Sequence, residues 1–321
     1  MPQTTRLGRN MELNTTTDYH ANRLDSLGWE LTVCNALDPE NSPIRKILED
    51  NDSYGHLLYK FLRTYIPADD CNNIVEIGGG YGCLMRAFFD FSASMKAMMI
   101  DISPYLLARQ REALNGCDAV FKEEDFLQTD AQTLEGFDLA IMNENLGDFP
   151  TLINLYSQAL EFSGCKDMLI REVRYFFDRY SLTQPSTEPF NFNLGGLKAV
   201  EKLCVSGIPY IFLGEHSCEA SAPSDLNLPI QVKSARTPEK ISLKGHDEYS
   251  VQFSYLQCIG ESFGYRCVRG PFADFIRVKV SDSVRHAVMS GGRASDDAEI
   301  VCQFVEDLYK YEYLIFIKSD Q

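Results

Sequence analysis

The residues best equipped for chemistry are carboxylates that each stand at the end of a short apolar run. Glu76 lies within Asn73-Ile-Val-Glu-Ile-Gly-Gly-Gly-Tyr-Gly82, and Asp101 ends Lys96-Ala-Met-Met-Ile-Asp. Asp125 follows the short run 118–121, and Glu144 follows the run 137–142. Open α/β sheets bind ligands outside the carboxyl ends of their strands, so acids at strand tips are candidate binding groups. Gly78, Gly79, Gly80 and Gly82 let the chain turn sharply and let a ligand touch bare main chain. The bland alternative is a tight strand-to-helix turn. Asp101 suits both hydroxyls of a ribose, or else caps the next helix. Asp125 suits an adenine amino group with Phe126 over the ring, although Glu123 and Glu124 beside it equally describe a charged surface loop. Asn143 and Glu144 at the fourth tip would face the reacting end of such a ligand. Asp148 either joins them or caps a helix expected from Thr151. His216, after Glu215, is a base near its natural pKa or a structural ring. His56, His246 and His286 have no partner readable from spacing, and no metal site is expected.

These groups need a scaffold of alternating strands and helices. Strands are expected at 73–77, 96–101, 118–121, 137–142 and 209–213, with a last strand at 313–318. Ser103-Pro104 is a helix start, and Asn115-Gly116 a helix stop. Leu57, Leu58, Phe61, Leu62 and Tyr65 share one helical face before the first strand. Further helices are expected at 151–162, 194–204, 251–263 and 297–309, and a strand at 272–280. Residues 180–192 read as a polar, Pro-containing excursion over the sheet. The alternation predicts an α/β fold, a Rossmann-like doubly wound sheet.

Composition limits the function classes. The chain has 321 residues, 45% of them hydrophobic, and a net charge of −16. A surface this acidic argues against phosphate-backbone binding, so no nucleic-acid partner is expected. Ten cysteines without a Cys-x-x-Cys pair read as free thiols in a reducing compartment. No run is long enough for a membrane span, and residues 1–20 lack the apolar core of a secretory signal. A cytoplasmic protein is expected, with residues 1–20 as a disordered tail.

The glycine turn, Glu-x-Gly-x-Gly-x-Gly, resembles motif I of class I S-adenosylmethionine (SAM)-dependent methyltransferases. It does not match the Gly-x-Gly-x-x-Gly of dinucleotide binders, which disfavours a nicotinamide oxidoreductase. Ile100-Asp-Ile-Ser-Pro-Tyr-Leu-Leu-Ala-Arg-Gln-Arg-Glu-Ala-Leu114 and Asn143-Glu-Asn-Leu-Gly-Asp-Phe-Pro150 are similar to blocks of the MidA family, which includes the mitochondrial complex I assembly factor. So is His246-Asp-Glu-Tyr-Ser-Val-Gln-Phe-Ser-Tyr-Leu256. The resemblance implies a seven-stranded, mostly parallel methyltransferase sheet over 71–321, an N-terminal helical cap at 21–70, and an insertion after the fourth strand around 173–207. It implies SAM as cofactor, held by Glu76, Gly78, Gly80, Tyr81, Gly82, Asp101, Ile102, Asp125 and Phe126. Asn143, Glu144 and Asp148 are then the catalytic candidates, and the implied acceptor is a protein arginine, with a possible homodimer. Two departures, Gly-Gly-Gly-Tyr-Gly in the turn and Gly214-Glu-His216 in place of the family's Asp-Tyr-Gly, keep two other readings open. These are a small-molecule O- or N-methyltransferase, and a non-catalytic assembly factor with the same fold.

Overall fold

The computed structural model describes residues 11–26, 32–40, 42–161, 167–223, 226, 228–230, 232–293 and 295–318. Along the chain run β1 (Glu12–Asn14), α1 (Thr17–Asn22), α2 (Val33–Ala36), α3 (Tyr54–Leu62), β2 (Asn73–Ile77) and α4 (Cys83–Phe89). Next come β3 (Lys96–Asp101), α5 (Pro104–Ala113), β4 (Ala119–Glu123), β5 (Leu139–Asn143), β6 (Thr151–Leu155) and α6 (Ser157–Glu161). Then follow α7 (Met168–Tyr180), β7 (Phe190–Phe192), α8 (Leu194–Ser206), β8 (Tyr210–His216), β9 (Lys240–Ser242) and β10 (Asp247–Tyr249). The chain closes with α9 (Phe253–Ser262), β11 (Tyr265–Pro271), α10 (Asp282–Met289), α11 (Asp296–Lys310) and β12 (Tyr311–Lys318).

Seven strands form the main sheet in the order β11-β12-β8-β5-β2-β3-β4. Neighbours from β8 to β4 pair in parallel, and β12 runs antiparallel to both β8 and β11. This is the expected doubly wound, mostly parallel sheet. Its strand order reverses between β2 and β5, where such sheets open a crevice at their carboxyl edge. β5 is buried along its whole length, as an apolar run covered on both faces must be. The side chains divide by the two-residue pleat. Ile74, Ile141, Phe212 and Ile315 face a core shared with α3, α4, α10 and α11. Val75, Met142, Leu213 and Phe316 face the opposite core, shared with α7, α8 and α9.

Local signals that needed only nearby residues hold. Ser103 caps α5 by accepting from Leu106 N–H, and Pro104 occupies the first turn. An insertion does follow β5, the fourth strand of the sheet counted from the glycine turn. Three expectations change. Residues 151–155 form β6 rather than a helix, because β1 and β7 flank them in a second, three-stranded sheet. The strand expected at 272–280 lies earlier, at Tyr265–Pro271. Pro271 ends it, and Phe272, Phe275 and Ile276 turn into the core. Glu12–Asn14 form β1 and Thr17–His20 lie in α1 rather than in a tail, while residues 1–10 lie outside the described residues. Among the described residues no helix is long and apolar enough to cross a membrane. The cysteines described are all free.

Helix α3 meets α4 through Gly55. A Cβ at that position would lie 2.6 Å from the Leu84 carbonyl oxygen and 2.8 Å from the Ala87 Cβ. In an exposed helix Gly→Ala stabilises by about 1 kcal/mol. Here the obstacle is backbone that cannot swing aside, so overpacking decides the sign. Gly55→Ala is expected to destabilise the protein by about 1–3 kcal/mol in urea unfolding, and a gain in stability would contradict this packing.

Candidate active site at the carboxyl edge of the sheet

The tips of β2, β3, β4, β5 and β8 open onto one cavity of about 610 Å³, within the size range of small-molecule sites. Of the twelve site residues expected from sequence, Glu76, Gly78, Gly80, Tyr81, Asp101, Ile102, Asp125, Phe126, Asn143, Glu144 and Asp148 line it. Gly82 does not, and instead caps α4.

The glycine turn has the conformation its residues allow. Gly78, Gly80 and Gly82 have φ of 65°, 54° and 83°, the left-handed region that side chains avoid. Gly79 is constrained by space, since a Cβ there would sit 2.5 Å from Met99 Cε and 3.0 Å from Glu76 Cδ. Glu76 is 2% exposed, and its Oε2 has no hydrogen-bond partner. Asp101 is 5% exposed. Its Oδ1 accepts from Ser103 N–H at 2.9 Å, and its Oδ2 from Gln110 Nε2 at 2.8 Å. Gln110 also donates to the Gly80 carbonyl at 3.1 Å, which ties the glycine turn to the tip of β3. Asp125 caps the turn Phe126–Gln128 by accepting from Leu127 N–H. Lys202 of α8 holds that turn through the carbonyls of Phe126, Leu127 and Thr129, with its ammonium 5.3 Å from the Phe126 ring centroid.

The tip of β5 is organised around the N-terminal segment. Glu144 has φ 54°, a strained value for a side-chain-bearing residue. It accepts from Val33 N–H at 2.7 Å, Cys34 N–H at 2.9 Å and Asn143 Nδ2 at 3.1 Å. Asn143 Oδ1 in turn accepts from the buried Tyr54 hydroxyl. These two residues therefore dock the start of α2 against the sheet while facing the cavity. Asp148 caps no helix, because β6 follows it. Its Oδ1 lies 2.8 Å from His20 Nε2 and 3.5 Å from His246 Nε2. Thr16 adds a bond to the Asp148 carbonyl. Glu248 Oε1 is 3.0 Å from the same His246 nitrogen. Glu215 of β8 accepts from Gly147 and His216 N–H groups.

Sequence reasoning missed His20, His246, Glu215 and Glu248 as cavity residues, although all four line it. The Gly-Glu-His end of β8 pointed to His216, and the block 246–256 drew notice without a role for His246. His216 is absent from the cavity lining, and its Nδ1 is buried without a partner. Burial, with Lys310 nearby, holds its pKa down to about 4.

Burial dominates the acids here. It pushes Glu76 up to about 8, with the Asp101 charge adding to the effect. It raises Asp101 to about 6 against the bonds from Ser103 and Gln110, and Glu144 to about 7 against its three donors. Asp148 behaves oppositely. Burial opposes its charge, but His20 and His246 prevail and hold it well below the usual carboxylate range. Burial also opposes the charge on His246, yet Asp148 and Glu248 raise it to about 9.

A carboxyl raised on folding keeps a proton that the unfolded chain has released, so stability is lost as pH rises from the unfolded to the folded value. For Glu76 that interval runs from 4.5 to about 8. His246, raised from 6.5 to about 9, stabilises fully below the first value and loses that contribution towards the second. The ligand-free protein is therefore expected to lose stability steadily from pH 5 to pH 9, and Glu76→Gln should flatten the part below pH 8. Urea midpoints across this range measure it, and an unchanged slope in the variant would rule Glu76 out as the cause.

No family model matches the sequence, and no curated protein does. Solved structures do resemble the fold. An uncharacterized COG1565 superfamily protein from Burkholderia thailandensis is 13% identical, with a TM-score of 0.51 over 91% of this chain and 87% of that one. Another COG1565 superfamily member from the same bacterium, crystallised with S-adenosyl-homocysteine, is 14% identical, with a TM-score of 0.50 over 89% of this chain and 78% of that one. At such identities the likeness is one of fold, and that fold is the Rossmann-like, seven-stranded α/β architecture of class I methyltransferases.

Proposed function

We propose that this chain is a SAM-dependent methyltransferase. SAM would lie along the tips of β2, β3 and β4, and its acceptor between the tips of β5 and β8 and the N-terminal segment. The observation that carries this reading is the buried, unpartnered Glu76 Oε2 beside a glycine turn that leaves main chain bare. An orphaned buried carboxylate oxygen is costly unless a donor reaches it. The amino group or a ribose hydroxyl of SAM supplies such a donor, and Asp101 next to it keeps free lone pairs for the sugar. Asp125 and Phe126 suit the adenine. The solved relative with bound S-adenosyl-homocysteine supports the same reading.

SAM supplies an electrophilic methyl on a sulfonium. The protein's work is then to align the acceptor in line with the carbon–sulfur bond, to exclude water and to remove a proton. Asn143 and Glu144 position, because their polar atoms are committed to Tyr54, Val33 and Cys34. Asp148 with His20 and His246 offers imidazole N–H donors at the cavity wall, which suits orienting the oxygen of a hydroxyl acceptor rather than removing its proton. A small-molecule hydroxyl is therefore the acceptor this wall fits best. A second reading, methylation of a protein arginine, is favoured by another observation: carboxylates outnumber Lys and Arg among the cavity-lining residues, as a cationic acceptor would require.

Isothermal titration with SAM is expected to give one site per chain, and Asp101→Ala should weaken it at least tenfold. No heat of binding, or unchanged affinity in the variant, would overturn the cofactor assignment. Tritium from labelled SAM in a cell lysate should enter a low-molecular-weight species. Label in a macromolecule instead would establish the arginine reading's class of acceptor.

A further inference from the structure

The cluster at the acceptor wall joins three distant parts of the chain. His20 comes from α1, Asp148 from the loop between β5 and β6, and His246 from the turn before β10. The two Nε2 atoms and Asp148 Oδ1 lie within 4.8 Å of one another. Both imidazoles aim at one carboxylate oxygen, at 2.8 and 3.5 Å, and Glu248 Oε1 approaches the His246 nitrogen at 3.0 Å. Ligand atoms held about 2.0–2.2 Å from a common ion are themselves about 3.0–3.5 Å apart, and Asp148 stands near that spacing from each histidine. The donor set is two imidazoles and one carboxylate, which suits zinc, manganese or iron(II) better than magnesium or calcium.

Independent contacts hold the rings in this aim. Tyr19 stacks on His246 at 4.2 Å between centroids, and His20 meets His246 edge-on at 5.2 Å. The His246 side chain is 10% exposed, and its Nδ1 is buried with no hydrogen bond. Its only polar anchor is thus the nitrogen that faces the shared point. All four side chains line the cavity, in a wall where acids predominate and a cation is welcome.

We propose that His20, Asp148 and His246 form a binding site for a divalent transition-metal ion on the acceptor wall. The remaining coordination positions face the cavity and take an oxygen of the acceptor. Coordination lowers the pKa of a hydroxyl. Its proton leaves to solvent, the metal-bound oxygen forms a bond to the methyl carbon, and the carbon–sulfur bond breaks with its electron pair going to sulfur. This role rests on the methyltransferase reading, whereas the ion site itself does not.

The test uses the full chain after dialysis against a chelator. Titration with Mn²⁺, followed by loss of the free-ion electron paramagnetic resonance signal, and with Zn²⁺ by calorimetry should each give one site per chain. His246→Ala and His20→Ala should weaken binding at least tenfold. His286→Ala, an exposed change in α10, should bind like the unaltered protein. Circular dichroism identifies any variant that fails to fold, and the two histidines lie on different segments, so either suffices. Absence of stoichiometric binding, or equal binding by all three variants, overturns the proposal. Ion binding without SAM binding would sustain the site and sink the methyltransferase reading. Methyl transfer that persists in the chelated protein would sustain the methyltransferase reading and sink the ion's catalytic role.

Discussion

Five strands deliver carboxylates to one edge of the sheet, and burying so many acids together is the constraint around which this molecule is arranged. Glu76, Asp101 and Glu215 are each at most 5% exposed, and an ionised carboxylate loses several kcal/mol of hydration on burial unless donors replace the water. Salt bridges with Lys or Arg are not the remedy here. Main-chain N–H groups, amides and imidazoles are. Ser103 and Gln110 satisfy Asp101, the start of α2 satisfies Glu144, Gly147 and His216 satisfy Glu215, and two histidines satisfy Asp148. Glu76 alone of these keeps an oxygen with no donor. The N-terminal segment therefore lies where it does for an electrostatic reason: it carries the donors that the tip of β5 lacks.

This arrangement explains which parts of the site were legible in the sequence. Each feature of the glycine turn is set by neighbours within a few residues or by the adjacent parallel strand. Apolar runs, Ser103-Pro104 and glycine spacing therefore located Glu76, Asp101, Asp125 and Glu144 at strand tips. His20 was hidden because its partner is 128 residues away, and a lone histidine in a polar stretch carries no pattern. His246 was hidden because Asp148, its partner across the cavity, is far from it in sequence. The two misread elements share a cause. Thr151–Leu155 has apolar residues that suit a helix face as well as a strand, and its pairing with Glu12–Asn14 and Phe190–Phe192 decides between them. Tyr265–Pro271 carries Arg266 and Arg269, which hid an edge strand. Arg269 is paired with Glu312 on β12 and with Glu219, neither of which is near in sequence.

The two halves of the cavity differ in what holds them. The half at β2, β3 and β4 is part of the continuous sheet and its two cores. The opposite half depends on α1, which buries no residue of its own. Short β1–β6 pairing, the Thr16 and Asn14 bonds and the His20–Asp148 contact attach it. Net contributions from such polar contacts are about 0.5–1.5 kcal/mol each, small beside the burial of an apolar helix face. Opening of α1 is thus far less costly than global unfolding, and it would expose the Asp148 side of the cavity without disturbing the glycine turn. A site built this way keeps one half rigid for a constant ligand. Its other half, made of loops and an N-terminal segment, has more freedom to move.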